Sequence, residues 1–301
     1  MTDIAIPQPG VGLQKVLDRP RAKHQRWRAF ARHRLALAGA CIIAALALIA
    51  IFAPLVATHD PNKVDLFATS ASPSRDHWLG TDDIGRDVYS RIVYGTRISL
   101  SVGLVSVTIY VIIGTVLGSV SGYFGGWIDS TLQRFTDAIM CFPSLIIIIA
   151  AVAITGPSIF NVMIVIGLLT WPGICRLVRG QFLSLREREF VEAARSIGAR
   201  PARIIFRHLL PNAVAPITVA ATFGVAAAIL TEAGLSFLGL GVQPPTASWG
   251  NLINTAQSAA VLQEMPWLWV PAGIMIALAV LSINFVGDGL RDAIDPRSTH
   301  R

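Results

Sequence analysis

The residues that could bind a metal or act as nucleophiles are few and scattered in this sequence. The six histidines are all more than four residues apart, so no pair has the spacing of an HExxH zinc site. The three cysteines lie in or beside apolar runs without CxxC or Cys/His ligand spacing, and they are Cys41, Cys141 and Cys175. The spacing therefore predicts no metal site, and we interpret the cysteines as packing residues.

The sequence also lacks the patterns that ATP hydrolysis or acyl transfer would need. Its only lysines are Lys15, Lys23 and Lys63, and none follows a glycine, so a GxxxxGK[ST] phosphate loop is absent. No GxSxG elbow occurs, and no serine or cysteine has an evident partner histidine. We therefore expect no ATPase site, no cofactor and no enzymatic activity in this chain.

Three acidic residues near apolar runs remain as functional candidates, because a charge inside a bilayer is costly. Glu232 is a candidate to face a solute path, and Asp137 and Asp288 are further ionisable residues at the edges of such runs. All three are close enough to the end of a run that the interface could solvate them instead. The sequence leaves both interpretations open.

The elements that must position these residues are membrane-spanning helices. Hydrophobic residues make up 53% of the 301 positions, charged residues make up 14%, and the mean hydropathy is +0.59. Because a span needs about 20 apolar residues, six stretches qualify: 35–57, 98–120, 135–155, 159–175, 213–236 and 267–287. The sequence thus predicts an all-α polytopic membrane protein in contact with lipid.

The arginines and lysines predict the orientation, because basic residues accumulate on the cytoplasmic side. With six spans, 20 of the 25 basic residues lie on the side that holds both termini. The predicted divisions are a basic cytoplasmic tail at 1–34, a first transmembrane helix at 35–57, an extracytoplasmic segment at 58–97, a five-helix core at 98–288 and a cytoplasmic tail at 289–301. The net charge of +7 thus reflects topology, and no nucleic-acid partner is expected.

The second predicted span carries Gly114, Gly118 and Gly122 at four-residue spacing. This spacing puts the three glycines on nearly one helix face, where another backbone can approach closely. The pattern predicts a helix contact, and a dimer seam is the alternative.

The most informative stretch is the predicted cytoplasmic loop at 176–212. We expect a short helix around Glu192, a bend at Gly198, and a second short helix that begins at Pro201 and ends at Pro211. Such a loop could dock into a groove on a soluble partner. A basic loop held near anionic headgroups would also explain the arginines.

This loop resembles the EAA loop of ABC importer permeases, whose pattern is EAA, three residues, Gly, nine residues, Ile, one residue and Leu-Pro. His208 stands where Ile is usual. The resemblance implies that the loop contacts an ATPase through Glu192, Ala193, Ala194, Arg195, Gly198 and Pro211.

Two further segments, 79–100 and 232–250, and the ending 287–297 resemble the second permease subunit of dipeptide, oligopeptide and nickel importers. The resemblance implies the type I importer transmembrane fold in the cell inner membrane. The implied partners are a second homologous permease subunit, two cytoplasmic ATPase subunits that hold ATP and Mg, and an extracytoplasmic binding protein. The implied mechanism is alternating access, in which this chain forms half of a pore for di- or oligopeptides.

The outer motif of this family spans Gly80, Thr81, Asp82, Asp83, Gly85, Arg86 and Asp87. Its acidic residues could orient the delivering protein or line an outer vestibule. A capped turn followed by a short interfacial helix is the other interpretation.

Three alternatives follow from the sequence. Within the same family the solute could be nickel, glutathione or another small molecule. A self-contained secondary transporter should show internal repeats and broken helices with mid-membrane charge, and neither is evident. An intramembrane enzyme would need the nucleophile pair that the sequence lacks.

Overall fold

A computed structural model describes Phe30, Ala31 and residues 33–294. Nearly all of that part is helical, and its one β-bridge joins Thr81 and Asp87. The predicted tails at 1–34 and 289–301 lie largely outside the described residues. The helices are α1 (Arg34–Ile51), α2 (Ala53–Val56), α3 (Val88–Phe124), α4 (Gly126–Met140), α5 (Ser144–Thr155), α6 (Ile159–Leu185), α7 (Glu189–Ser196), α8 (Pro201–Phe237), α9 (Trp249–Asn254), α10 (Ala259–Glu264) and α11 (Val270–Ile294).

Five of these helices are long and apolar enough to cross a membrane, namely α1, α3, α6, α8 and α11. The sixth predicted span, at 135–155, is not one continuous helix. Its residues fall in α4 and α5, which meet at an angle of 81° across a short break. The break is expected where it occurs, because Pro143 lacks an N–H and pushes the preceding residue away from helical conformation. Within residues 33–294 the number of candidate spans is therefore five, or six if α4 and α5 together make one.

The helices extend further than the apolar runs do. Helix α3 begins at Val88, inside the predicted outer segment at 58–97, and α6 continues to Leu185, inside the predicted loop at 176–212. The fourth predicted span, at 159–175, is the shortest of the six, but it lies in a helix of 27 residues. Hydropathy marks only the part of a helix that lies in hydrocarbon, so its polar ends were assigned to the connecting segments.

Helices α3 and α6 pack closely through the predicted glycine face. A β-carbon at Gly118 would lie 2.5 Å from the carbonyl oxygen of Cys175, and one at Gly122 would lie 2.6 Å from Cβ of Phe182. No other residue fits at such separations. The predicted close helix contact is therefore confirmed, and the neighbour is α6 of the same chain.

The first and last long helices also pair through small residues. A β-carbon at Gly39 of α1 would lie 2.5 Å from the carbonyl oxygen of Ser282 in α11, and one at Gly289 would lie 2.3 Å from Cβ of Ala36. Leu46, Ile229 and Ile283 then form a buried apolar cluster between α1, α8 and α11. The leading helix is thus packed onto the core.

Two segments, named outer after the predicted orientation, cover the end of the bundle where α3 begins and α8 ends. Residues 57–87 lie before α3, and residues 238–269 lie between α8 and α11. Trp249 of the second segment is fully buried and donates from Nε1 to the carbonyl oxygen of Ile92 in α3, at 3.3 Å. This tryptophan fixes the second outer segment to the bundle.

Candidate functional site

The loop between α6 and α8 contains the residues of the EAA pattern. Helix α7 begins with Glu189 and Glu192 in its first turn and has Arg195 in its last, an order that suits the helix dipole. It ends in a Schellman motif: the amide of Ala199 donates to Ala194 at 3.0 Å, and that of Gly198 donates to Arg195 at 2.9 Å. Gly198 has a φ of +76°, which only a residue without a β-carbon adopts at little cost. The predicted bend at Gly198 is present.

The two faces of α7 differ in burial. Val191 and Ala194 are buried against the core, whereas Glu192, Ala193 and Arg195 are exposed. Ile197 is 85% exposed and Phe190 is 42% exposed, so apolar surface is left uncovered on this short helix. One alanine of the pattern therefore packs inside the chain, and the other faces outward.

A cavity of about 740 Å³ opens between α7 and the first turns of α8. Its α7 side is apolar and carries Phe190, Ala193, Ile197 and Gly198. Its α8 side is basic and carries Arg200, Arg203, Arg207 and His208. A partner that fills this space would present apolar groups to one wall and acidic or polar groups to the other.

The second half of the loop differs from the prediction. The sequence indicated a separate short helix that ends at Pro211, but α8 runs from Pro201 to Phe237 without interruption. Residues Ile205–Leu209 adopt a π-helical turn, in which the amide of Leu210 donates to Ile205. Widening the helix in this way accommodates a proline, which lacks an N–H and would crowd the preceding turn. Pro211 thus lies inside a helix that is continuous from the loop into the bundle.

An ion pair that the sequence did not predict joins α4 to α6 near this loop. Arg179 of α6 donates from Nε to Oδ1 of Asp129 at 2.6 Å, and from a terminal nitrogen to Oδ2 at 2.7 Å. Arg195 of α7 stacks over the ring of Tyr123 in α3, with 5.6 Å to the centroid. The sequence gives no sign of the Arg179–Asp129 pair, because no local pattern relates residues 50 positions apart.

At the other end of the bundle, the acidic residues of the outer motif form a capped turn. Asp82 is buried and accepts from the amide of Arg86 at 2.9 Å and from its Nε at 2.7 Å. Asp87 is the N-cap of α3 and accepts from the amide of Ser90 at 2.8 Å. Only Asp83 is exposed. The geometry favours the capped-turn interpretation for Asp82 and Asp87.

Burial and hydrogen bonding have opposite effects on the pKa of Asp87. Burial raises this pKa, but the hydrogen bonds from Ser90 and His77 outweigh it and hold the pKa below its usual value. Asp87 is therefore a carboxylate at neutral pH.

The remaining motif residues pack against residues 65–71. Thr81 is buried, accepts from the amide of Ala71 at 2.9 Å and donates to the carbonyl of Ala68. Gly85 has a φ of +80°, and a β-carbon there would lie 1.8 Å from the carbonyl oxygen of Asp65. Gly80 makes a similar approach, since its β-carbon would lie 2.4 Å from the carbonyl oxygen of Ala71.

Comparison with known proteins decides the family. The family model described as "Binding-protein-dependent transport system inner membrane component" matches residues 114–300. The chain belongs to this family. It is a permease subunit of an ABC importer and a multi-pass protein of the inner membrane. A second model, described as "N-terminal TM domain of oligopeptide transport permease C", matches residues 24–73 of this permease.

The names of relatives of the permease specify different solutes. The dipeptide transport system permease protein DppC of Alkalihalophilus pseudofirmus is 47% identical over 88% of this chain and 87% of its own length. The glutathione transport system permease protein GsiD of Pectobacterium atrosepticum is 42% identical over 90% of each chain. The solved MetNI methionine ABC transporter shares the fold, with a TM-score of 0.54 and 20% identity, and the match covers 67% of this permease and 96% of that chain.

Glu232 of the permease is fully buried near the outer end of α8. Its carboxylate accepts from the hydroxyls of Ser236 at 2.7 Å, Ser248 at 2.9 Å and Ser99 at 3.4 Å. The same hydroxyls accept backbone amides of the second outer segment, including Ser248 from Asn251 and Ser99 from Trp249. This geometry gives Glu232 contacts that position the second outer segment, and the expectation that it faces a solute path stays a prediction.

Proposed function

We propose that this permease forms half of a pore for peptides, together with a second homologous permease subunit. The peptide names among relatives at 47% identity support this solute class. The family's description as binding-protein-dependent supports delivery of the solute by an extracytoplasmic protein. Glutathione is a second candidate solute, since the name of a relative at 42% identity specifies it.

The exposed face of α7 is the observation that carries the coupling proposal. Glu192, Ala193 and Arg195 of this short helix are exposed, and the apolar side chain of Ile197, next to its C-terminal Schellman motif, is 85% exposed. Phe190, Ala193 and Ile197 together line one wall of the cavity, and contiguous uncovered apolar surface is typical of a surface that a partner covers. We assign this face, with the wall of the cavity, to a cytoplasmic ATPase subunit.

ATP and Mg would bind on the ATPase partners, because this chain has no phosphate loop. Closure of two ATPases would draw the two α7 helices together, and α8 would carry the movement to the outer end of the bundle. Both termini and α7 would lie in the cytoplasm, as the basic residues indicate.

The experiment that tests the solute is uptake of a labelled dipeptide, a pentapeptide, glutathione and nickel in cells with and without this chain. The partner subunits are present in both strains. We expect dipeptide uptake to depend on the chain. If only glutathione uptake or only nickel uptake requires the chain, that solute takes the place of peptides in the proposal. If no uptake requires the chain, the import proposal is contradicted.

The experiment that tests the coupling surface is the Glu192→Arg variant. Reversing an exposed charge costs the fold little but opposes the docking of a partner matched to the native charge. We expect uptake to fall at least tenfold while membrane insertion is unchanged. Glu187→Arg makes the same exposed charge change before α7 begins and is the matched control, so an equal loss in both variants would contradict the assignment.

A further inference from the structure

Two histidines that the sequence separates meet one carboxylate at the outer end of the bundle. His59 follows the short helix α2, His77 lies in the first outer segment, and Asp87 caps α3. Nδ1 of His77 is 2.9 Å from Oδ1 of Asp87, and Nδ1 of His59 is 3.8 Å from the same oxygen. The two imidazole rings lie 4.7 Å apart between centroids. The three donor atoms all lie within 4.8 Å of one another.

The surroundings hold these groups in place and leave the donor atoms facing each other. The amide of Ser90 fixes Oδ2 of Asp87, so that Oδ1 is the oxygen turned towards the histidines. The backbone amide of His59 donates to Oγ of Ser90 at 3.0 Å, which anchors this histidine beside the cap. The Asp87 side chain is almost fully buried, so its orientation is set by the fold.

We propose that His59, His77 and Asp87 bind a divalent transition-metal ion such as zinc. Two imidazoles and one carboxylate are a donor set that zinc commonly takes, with bonds of about 2.0–2.1 Å. In a tetrahedral site of that size, neighbouring donors lie about 3.3 Å apart. The two separations to Oδ1 of Asp87 lie on either side of this value, and all three donor atoms lie within 4.8 Å of one another. To bind the ion, Nδ1 of His59 would give up its 3.1 Å contact with the Thr58 hydroxyl and turn towards the other two ligands.

The fourth position has access to solvent. The His59 side chain is 35% exposed and that of His77 is 18% exposed. A cavity of about 510 Å³, lined by Thr58, His59, Asp60, Pro61, Asn62 and Tyr94 among others, opens beside His59. An ion can therefore enter from this side, and water can complete its coordination.

The bound ion would add one further link between three parts of the chain. His59 terminates the leading helical region, His77 belongs to the first outer segment, and Asp87 begins α3. The proposed site departs from the sequence prediction of no metal binding. That prediction rested on short spacing motifs, whereas here the ligands are brought together by the fold.

The test is zinc binding to the purified full-length chain, prepared without a histidine tag and freed of metal with a chelator. Stoichiometry is measured by elemental analysis after dialysis, and affinity is measured by titration with zinc ion. We expect one zinc ion per wild-type chain, and His59→Asn and His77→Asn should each weaken binding at least tenfold. His208→Asn, which removes a histidine at the other end of the bundle, should bind zinc as the wild type does.

Thermal unfolding separates loss of the ion from loss of the fold. Each protein is melted with and without zinc, and zinc should raise the melting temperature of the wild type but of neither histidine variant. Absence of stoichiometric zinc binding by the wild-type chain overturns the proposal. Wild-type affinity in either histidine variant also overturns it.

Discussion

At the outer end of the bundle three carboxylates are buried and hydrogen-bonded, whereas the charged residues of α7 are exposed. Asp82, Asp87 and Glu232 are each less than 5% exposed, and their oxygens accept hydrogen bonds from within the chain. Glu192 and Arg195 of α7 are exposed, and so is the apolar side chain of Ile197 beside them. These three outer carboxylates are satisfied within the chain, whereas the α7 residues remain open to contact with another molecule.

This difference separates two kinds of mutational effect. Removing a buried hydrogen-bonded group leaves its partners unsatisfied, so substitutions at the outer end should lower stability. An exposed residue makes few contacts within the chain, so substitutions of the exposed residues of α7 should lower uptake and leave stability nearly unchanged. The predictions below test that division.

The largest expected effect on stability is that of Glu232→Ala. The change removes the acceptor of three serine hydroxyls and leaves a cavity, and we expect it to cost about 3 kcal/mol. Glu232→Gln keeps the volume and one acceptor oxygen, so its cost should be smaller. Unfolding can be followed by the reaction of buried Cys175 with a thiol reagent, after exposed Cys41 and Cys141 are replaced by serine. Equal melting of Glu232→Ala and the parent would contradict the positioning role.

Gly85→Ala should cost about 2 kcal/mol, because the new methyl group meets the carbonyl oxygen of Asp65 at a backbone conformation unfavourable for alanine. The same thiol assay measures it. Gly126→Ala is the control, since Gly126 also has positive φ but its β-carbon would meet nothing within 4 Å. A cost no larger than that of the control would show that the close approach is unimportant.

Gly198→Leu should reduce stability by only about 1 kcal/mol, the cost of a left-handed conformation, since a β-carbon there meets nothing within 4 Å. Its uptake should nevertheless be abolished, because the side chain projects from the proposed docking surface. Gly198→Asn tolerates the conformation better and should retain more uptake. If the leucine variant takes up solute as well as the parent does, the proposal that the α7 end is a docking surface is contradicted.

The smallest effect is expected for Asp83→Asn. This residue is the exposed member of the outer acidic cluster, so its stability should change by less than about 0.5 kcal/mol. If the melting temperature falls as far as it does for Gly85→Ala, the outer end depends on surface charge as well as on buried contacts. Uptake measured in the same variant tests whether Asp83 orients a delivering protein.

Much of the fold follows from local patterns in the sequence. The apolar runs identify the long helices, since a bilayer requires a minimum length of apolar residues. The spacing of Gly114, Gly118 and Gly122 predicts a close helix contact, and Gly198 predicts the end of α7. The bend between α4 and α5 and the continuity of α8 through Pro211 were not predicted. A proline can either end a helix or be accommodated by a wider turn, and the packing around it decides which occurs.

The sequence by itself determined the membrane class, the approximate spans and the position of the α7 loop, because hydropathy, helix propensity and glycine conformation act over a few residues. Only the tertiary structure decided that Glu232 lies among three serines, that Arg179 meets Asp129, and that His59 and His77 converge on Asp87. These contacts join residues far apart in the chain, and their formation depends on how the helices pack.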